Sequence, residues 1–265
     1  MKSFCFSIDD NVRFFKELCQ SEASSFFHHP YTALLKRLHE RYGLKIQLNT
    51  FYRSEGFDLS LVGQRFYPEL SASSDWLKFS FHSEYENVDP YIRSSYEEVY
   101  ENCARHKNQL AAICSEAGLA KTTTLHYCQA TKEGVKALAD NGYIGLIGLF
   151  GTDAEPRSSY SLDSSDAARI RGGEILEKDG VCFASIDLVI NTCRIEELAP
   201  RLTALLDRES VRVMIHEQYF YEDYRAYQPD FEEKLDTVFR FLASAEYKSI
   251  FFEELLDRKK ASPIA

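Results

Sequence analysis

The stretch Phe4-Cys5-Phe6-Ser7-Ile8-Asp9-Asp10 decides the reading of this chain, because a short apolar strand body runs straight into two carboxylates. The pattern recurs. Leu77-Lys78-Phe79-Ser80-Phe81 runs into His82, Val211-Arg212-Val213-Met214-Ile215 runs into His216-Glu217, and the segment from Thr122 to Leu125 runs into His126. A parallel α/β barrel builds its site this way, since the loops that follow its strands gather at one face. If these strands are parallel neighbours, Asp9, Asp10, His82, His126 and His216 share one rim. Such side chains can hold a divalent metal and move protons around it.

Between these strands the apolar spacing changes to a helical period. A helix is expected around Val12–Cys19, and another starts at Pro30 with Leu34, Leu35 and Leu38 on one side. Tyr96, Val99, Cys103, Leu110, Cys114 and Ala117 predict a long helix over about Tyr91–Ala117. Further helices are expected over Thr131–Asn141 and Glu196–Asp207. Another follows Asp230, where Glu233 stands three residues on as in a capping box. Strands are expected at Lys45–Phe51, Tyr143–Leu149, Val181–Ile190 and Tyr247–Phe252. Residues 151–180 are rich in Ser, Asp, Arg and Gly and read as an insertion with few core contacts. The alternation predicts an α/β fold: one domain over residues 1–265, built as a distorted (β/α) barrel of about seven parallel strands. A doubly wound open sheet is the competitor, although no glycine-rich phosphate loop follows the first strand.

Bulk properties exclude some partners. A net charge of −10 leaves no basic field for nucleic acid or an anionic membrane. No segment approaches the roughly 18 apolar residues of a membrane span. The seven cysteines are odd in number and lack a C-x-x-C pair. Cys5, Cys103, Cys114, Cys128 and Cys182 read as small buried thiols, and the expected compartment is the cytoplasm.

The candidate residues carry distinct expectations. Asp9 and Asp10 repel each other unless a cation or shared proton compensates, and one could hold metal while the other serves as base. In an ideal strand they face opposite ways, so a common site requires a bulge. The competing reading makes them the cap of the next helix. His82 and Glu86 are four residues apart and would share one side of a helical turn. His216 can protonate a leaving group near neutral pH, with Glu217 and Tyr219 close by to bind substrate or support it. His126 could be a ligand or a donor behind one. Asp187 could orient a base or pair with an arginine such as Arg13. His39 and His106 are expected to face solvent from their helices.

On these residues the chain resembles the polysaccharide deacetylase family of carbohydrate esterases. Phe6-Ser7-Ile8-Asp9-Asp10 matches its opening F-x-x-D-D motif, His82 matches the first histidine of its H-x-x-x-H motif, and Val213-Met214-Ile215-His216 matches its final strand. Glu86 stands where the second histidine of that motif would be. The resemblance implies Asp9 as general base, His216 as general acid, and a divalent metal such as zinc on Asp10 and His82, with Glu86 or His126 as third ligand. The implied activity is removal of an acyl group from an N-acetylated sugar, a polysaccharide precursor or a related N-acylated small molecule. Two rivals stand beside it. One is a non-catalytic saccharide-binding barrel in polysaccharide biosynthesis. The other is a metal-independent glycosidase-like enzyme that uses Asp9 and Glu217.

Overall fold

A computed structural model describes residues 2–86, 91–152, 154–155 and 157–261. In chain order the strands are β1 (Ser3–Asn11), β2 (Ile46–Ser54), β3 (Phe57–Asp58), β4 (Leu77–Tyr85), β5 (Thr122–Thr123), β6 (Gly145–Gly148), β7 (Leu176–Lys178), β8 (Val181–Ser185), β9 (Leu188–Val189), β10 (Ser210–His216) and β11 (Lys248–Ser249). The helices are α1 (Arg13–Gln20), α2 (Pro30–Tyr42), α3 (Tyr67–Ala72), α4 (Tyr96–Cys114), α5 (Lys132–Asp140), α6 (Ser164–Arg171), α7 (Ile195–Thr203), α8 (Phe231–Ser244) and α9 (Phe252–Ala261).

The strands form two sheets. In the larger, β4, β2, β1, β10 and β9 lie side by side and parallel, and β11 pairs with the start of β1. Both faces of these strands are covered, which is why β1 and β10 read as near-continuous apolar runs rather than alternating ones. In the smaller sheet β5, β6 and β8 are parallel. Among the described residues two pairings are antiparallel, β2 with β3 and β7 with β8. The second is a two-residue hairpin in which Asp179 and Gly180 both take positive φ (52° and 79°). That backbone matches the twist of the flanking strands.

Among the described residues the sheets are not closed into one hydrogen-bonded ring, so the fold is α/β and parallel without a continuous ladder. At one seam β5 is only two residues long, and an isolated parallel bridge of Phe79 with Leu119, with Ala120 N donating to Phe79 O at 2.9 Å, is joined by side chains. Gln47 and Ser80 both donate to the Thr122 carbonyl, at 2.9 and 2.8 Å. The opposite seam is crossed by the chain itself. The expected strand Val181–Ile190 is broken, with β8 in the small sheet and β9 in the large one. Between them Asp187 N donates to Arg212 O at 2.8 Å.

Other expectations change for physical reasons. Residues 151–180 do carry core contacts, because Tyr160, Leu162, Ala167, Ile170 and Leu176 pack with the α4 and α5 residues Val99, Cys103 and Leu138. Their polar composition hides widely spaced apolar anchors. The capping box at α8 is absent. Asp230 has φ −91° and ψ 14°, a conformation from which its side chain does not cap, and its carboxylate lies 3.3 Å from Lys234 instead. His106 is fully buried, its Nε2 2.8 Å from Thr50 Oγ1. His39 is half-buried and stacks on Trp76 with 4.2 Å between ring centroids. Cys5, Cys103, Cys114, Cys128 and Cys182 are buried free thiols.

Candidate metal centre

The site begins with a defect in β1. Pairing of β1 with β2 shifts register between Ile8 and Asn11, and Asp10 takes a φ of 62°. A β-bulge of this kind re-aims side chains at a strand end. Here it brings both carboxylates, which an ideal strand would point apart, to one cavity of about 780 Å³. His82, Glu86, His126, His216 and Glu217 line the same cavity.

Asp10 is the hub. Its Oδ1 lies 3.0 Å from His82 Nε2 and 3.1 Å from His126 Nδ1, and its Oδ2 accepts from Gln218 Nε2 at 2.7 Å. Ligand atoms of Asp10, His82 and His126 all lie within 4.8 Å of one another. The tautomer of His82 is set from behind, because its Nδ1 faces the Thr124 carbonyl, which can only accept. The neutral ring therefore turns an Nε2 lone pair toward an anionic oxygen. That contact is repulsive unless the ring is protonated or a cation sits among the three groups. His126 Nε2 is buried and has no hydrogen-bond partner among the described residues. Ligands on a tetrahedral zinc stand about 3.3 Å apart, given metal–nitrogen bonds of about 2.0 Å, and the spacings of Asp10 to the two imidazoles, 3.0 and 3.1 Å, are close to that. Burial raises the Asp10 carboxyl, but hydrogen bonds from His126 and His82 outweigh it and hold the pKa well below the carboxylate range. For His82 burial acts downward, yet the Asp10 hydrogen bond and the charges of Asp9 and Asp10 carry its pKa above the usual value.

Asp9 is 2% exposed and accepts from Asn49 Nδ2 at 2.6 Å. Burial pushes its carboxyl up, against the charges of His82 and His216. His216 stands beside Asp9 in the β1–β10 register. Its Nδ1 lies 2.9 Å from Asn191 Oδ1, which fixes Nδ1–H and leaves Nε2 for the cavity. Glu86 lines the cavity but is not among the three grouped ligands.

Glu217 does something the sequence does not reveal. Its Oε2 accepts from Val12 N at 2.7 Å and Arg13 N at 3.1 Å, and its Oε1 accepts from Phe14 N at 2.8 Å and Tyr221 Oη at 2.5 Å. It caps α1 from the far end of the chain, a position where Val12 offers no side-chain cap. Asp9 and Asp10 do not cap that helix. Burial pushes the Glu217 carboxyl up to about 7, against the pull of Tyr221 and the three amides. Asp187 is held in a buried ion pair. It pairs with Arg212 at 2.9 Å and Arg208 at 2.5 Å, whereas Arg13 pairs with Glu17 and Asp223. Tyr219 is half-buried, its ring centroid 6.0 Å from that of His216.

Asn49, Asn191 and Gln218 support the site and carried no expectation. Asn49 was visible as a polar residue inside the apolar run of β2. Tyr127 and Cys128 follow the candidate ligand His126 with φ of 57° and 56°. Left-handed backbone costs such residues roughly 1–2 kcal/mol each, and strain of this kind collects at functional sites.

No family model matches the chain, and no curated protein matches it by sequence. Solved structures do match its fold. An acetyl xylan esterase of family 4 from Clostridium thermocellum, in complex with a cobalt ion, is 14% identical with a TM-score of 0.51 over 98% of this chain and 92% of that one. A CE4 family pseudoenzyme from Bacillus anthracis is 13% identical with a TM-score of 0.52 over 97% and 66%. A 4-alpha-glucanotransferase from Thermococcus litoralis is 14% identical with a TM-score of 0.61 over 97% and 41%. At these identities the likeness establishes the fold, which is that of the carbohydrate esterases the sequence resembles. One fold here hosts an esterase, a pseudoenzyme and a glucanotransferase, so the chemistry must be argued from the site.

Proposed function

We propose that this chain is a metal-dependent hydrolase that removes the acyl group of an N-acylated sugar, on a distorted (β/α) barrel formed by its two sheets together. The observation that carries the reading is the contact of Asp10 Oδ1 with two imidazole nitrogens at 3.0 and 3.1 Å, an arrangement that needs a positive charge among its members. Asp10, His82 and His126 would hold a divalent cation of the zinc type, and Glu86 is left free. Such an ion supplies Lewis-acid polarisation of the amide carbonyl.

The protein's own groups do the rest. Asp9, raised by burial, takes the proton of the attacking water. His216 gives a proton to the departing amine through Nε2 while Asn191 holds its other nitrogen. Gln218 fixes the Asp10 carboxylate by its second oxygen. Glu217, one residue after the acid, accepts from the amide of Val12, two residues after Asp10, so the acid and the ligand are tied through a single side chain.

The rival glycosidase reading needs Glu217 to react, and its four hydrogen-bond donors argue against that. The non-catalytic rival keeps one point in its favour, since a pseudoenzyme shares the fold. Elemental analysis and acetate release from N-acetylated chito-oligosaccharides test the proposal together. The wild type is expected to carry about one zinc-type ion per chain and release acetate, and Asp10→Asn to lose both. A metal content unchanged in that variant overturns the ligand assignment.

A further inference from the structure

The mouth of the cavity carries positive charge that the proposed chemistry does not use. Arg13, Arg157 and Arg225 all line it. Arg13 is committed, with Nε 2.7 Å from Glu17, Nη1 2.7 Å from Asp223 and its guanidinium 3.9 Å above the Tyr221 ring. Arg157 and Arg225 form no ion pair among the described residues. Arg157 donates one Nη2 bond to the Tyr127 carbonyl. Arg225 is exposed.

Most acidic groups of the same lining are already engaged elsewhere. Glu217 is occupied by α1, Asp9 by Asn49, and Asp10 by the two imidazoles and Gln218. Glu86 remains, half-buried. In a chain with 41 acidic and 31 basic residues, two arginines without a carboxylate partner among the described residues line one cavity. Focused charge of that sign raises the local concentration of anions. The guanidinium fork matches the oxygens of a carboxylate or a phosphate. Beside them Tyr127 is 56% exposed, and its ring centroid lies 4.2 Å from that of His126. The strained backbone at Tyr127 and Cys128, with its carbonyl held by Arg157, presents a flat apolar ring next to a candidate ligand.

We infer that this cavity takes an acylated sugar bearing an anionic group, a carboxylate or a phosphate, with Arg157 and Arg225 holding the anion and the Tyr127 ring supporting the sugar face. The sugar amide rests on the hydrolase reading above, whereas the anion preference rests on the arginines alone.

Calorimetric titration separates the two. N-acetylglucosamine, N-acetylglucosamine 6-phosphate and N-acetylmuramic acid are titrated into zinc-loaded protein and into EDTA-treated protein. The metal-free arm removes direct coordination of the anion by a cation. At least one anionic sugar is expected to bind about tenfold or more tighter than the neutral one in both arms, the worth of one charge-assisted hydrogen bond. The phosphate and carboxylate arms show which anion is preferred. Added salt should erode the advantage, and Arg225→Glu should bring the affinity ratio to one or below. Arg157→Lys keeps the charge without the fork, spares the Tyr127 turn the loss of its cation, and should lower the ratio in part. Equal affinity for all three sugars, or a preference untouched by both variants, overturns the inference. A preserved preference without acetate release rejects the hydrolase reading alone, and acetate release with no preference rejects this inference alone.

Discussion

Removal of the Glu217 carboxylate separates a structural role from a catalytic one. In Glu217→Ala the amides of Val12, Arg13 and Phe14 lose their acceptor in a region that is nearly solvent-free, since Glu217 is 1% exposed. Each orphaned donor costs about 1–3 kcal/mol. Allowing for relaxation, the sum is about 3–6 kcal/mol, a large share of the 5–15 kcal/mol that holds a typical domain together. Glu217→Gln is milder. Its oxygen can keep Val12 and Arg13, and the Tyr221 hydroxyl can turn to accept from the new amide, so one donor, Phe14 N, is stranded at about 1–3 kcal/mol. Urea denaturation in EDTA measures both costs with metal binding removed from the balance. The expected order is wild type, then Gln, then Ala, with acetate release by the Gln variant falling only as far as its folded fraction and metal content fall. A Gln variant as stable as the wild type and fully metallated, yet inactive, would refute the capping role and restore Glu217 as a reacting carboxylate.

Three further outcomes follow from other contacts. Gln218→Leu frees one oxygen of Asp10 and should weaken cation affinity by about 10–100-fold in a chelator competition, and unaltered affinity would show that the bond does not matter. Asn191→Ala should leave metal content alone and lower kcat by up to the ~10²–10⁴ that a positioned proton donor contributes; a fall in metal content instead would place Asn191 with the ligands. His106 is kept neutral by burial, its pKa lowered from 6.5 to about 3. Unfolded chains therefore bind the extra proton first, so this residue's stability is intact above pH 6.5 and lost as pH falls toward 3. Linkage gives a loss of about 2 kcal/mol by pH 5. Glu217, raised to about 7, stabilises both proteins alike over the same window and masks the loss when the wild type is measured alone. The check is therefore the difference: between pH 7.5 and pH 5 the stability of His106→Leu should change about 2 kcal/mol more favourably than that of the wild type, and an equal change in both would refute the reading.

The sequence disclosed strand ends better than it disclosed partners. β1, β4 and β10 were legible because parallel strands covered on both faces leave unbroken apolar runs, and an ionisable residue at the end of such a run stands out. The need for a bulge at Asp9-Asp10 was also legible from the two-residue period, though not its position in the register. Glu217 was not, because the amides it caps lie more than 200 residues away and a carboxylate in a helix-capping role looks in sequence like one in a catalytic role. The burial of His106 has a local signal, since Val99, Cys103, His106 and Leu110 keep one 3- to 4-residue stripe on α4. The seam near Thr122 depends on Gln47 and Ser80 reaching across a gap, and no local pattern encodes the width of a gap.

The kink at Asp10 narrows what sits comfortably at that position. Backbone with a φ of 62° admits Gly freely, tolerates Asn and Asp, and penalises longer or branched side chains. Within that narrow vocabulary only one member carries a negative charge. Steric geometry and coordination chemistry therefore favour the same letter, whereas a glutamate, though equally anionic, would carry the roughly 1–2 kcal/mol cost of left-handed backbone.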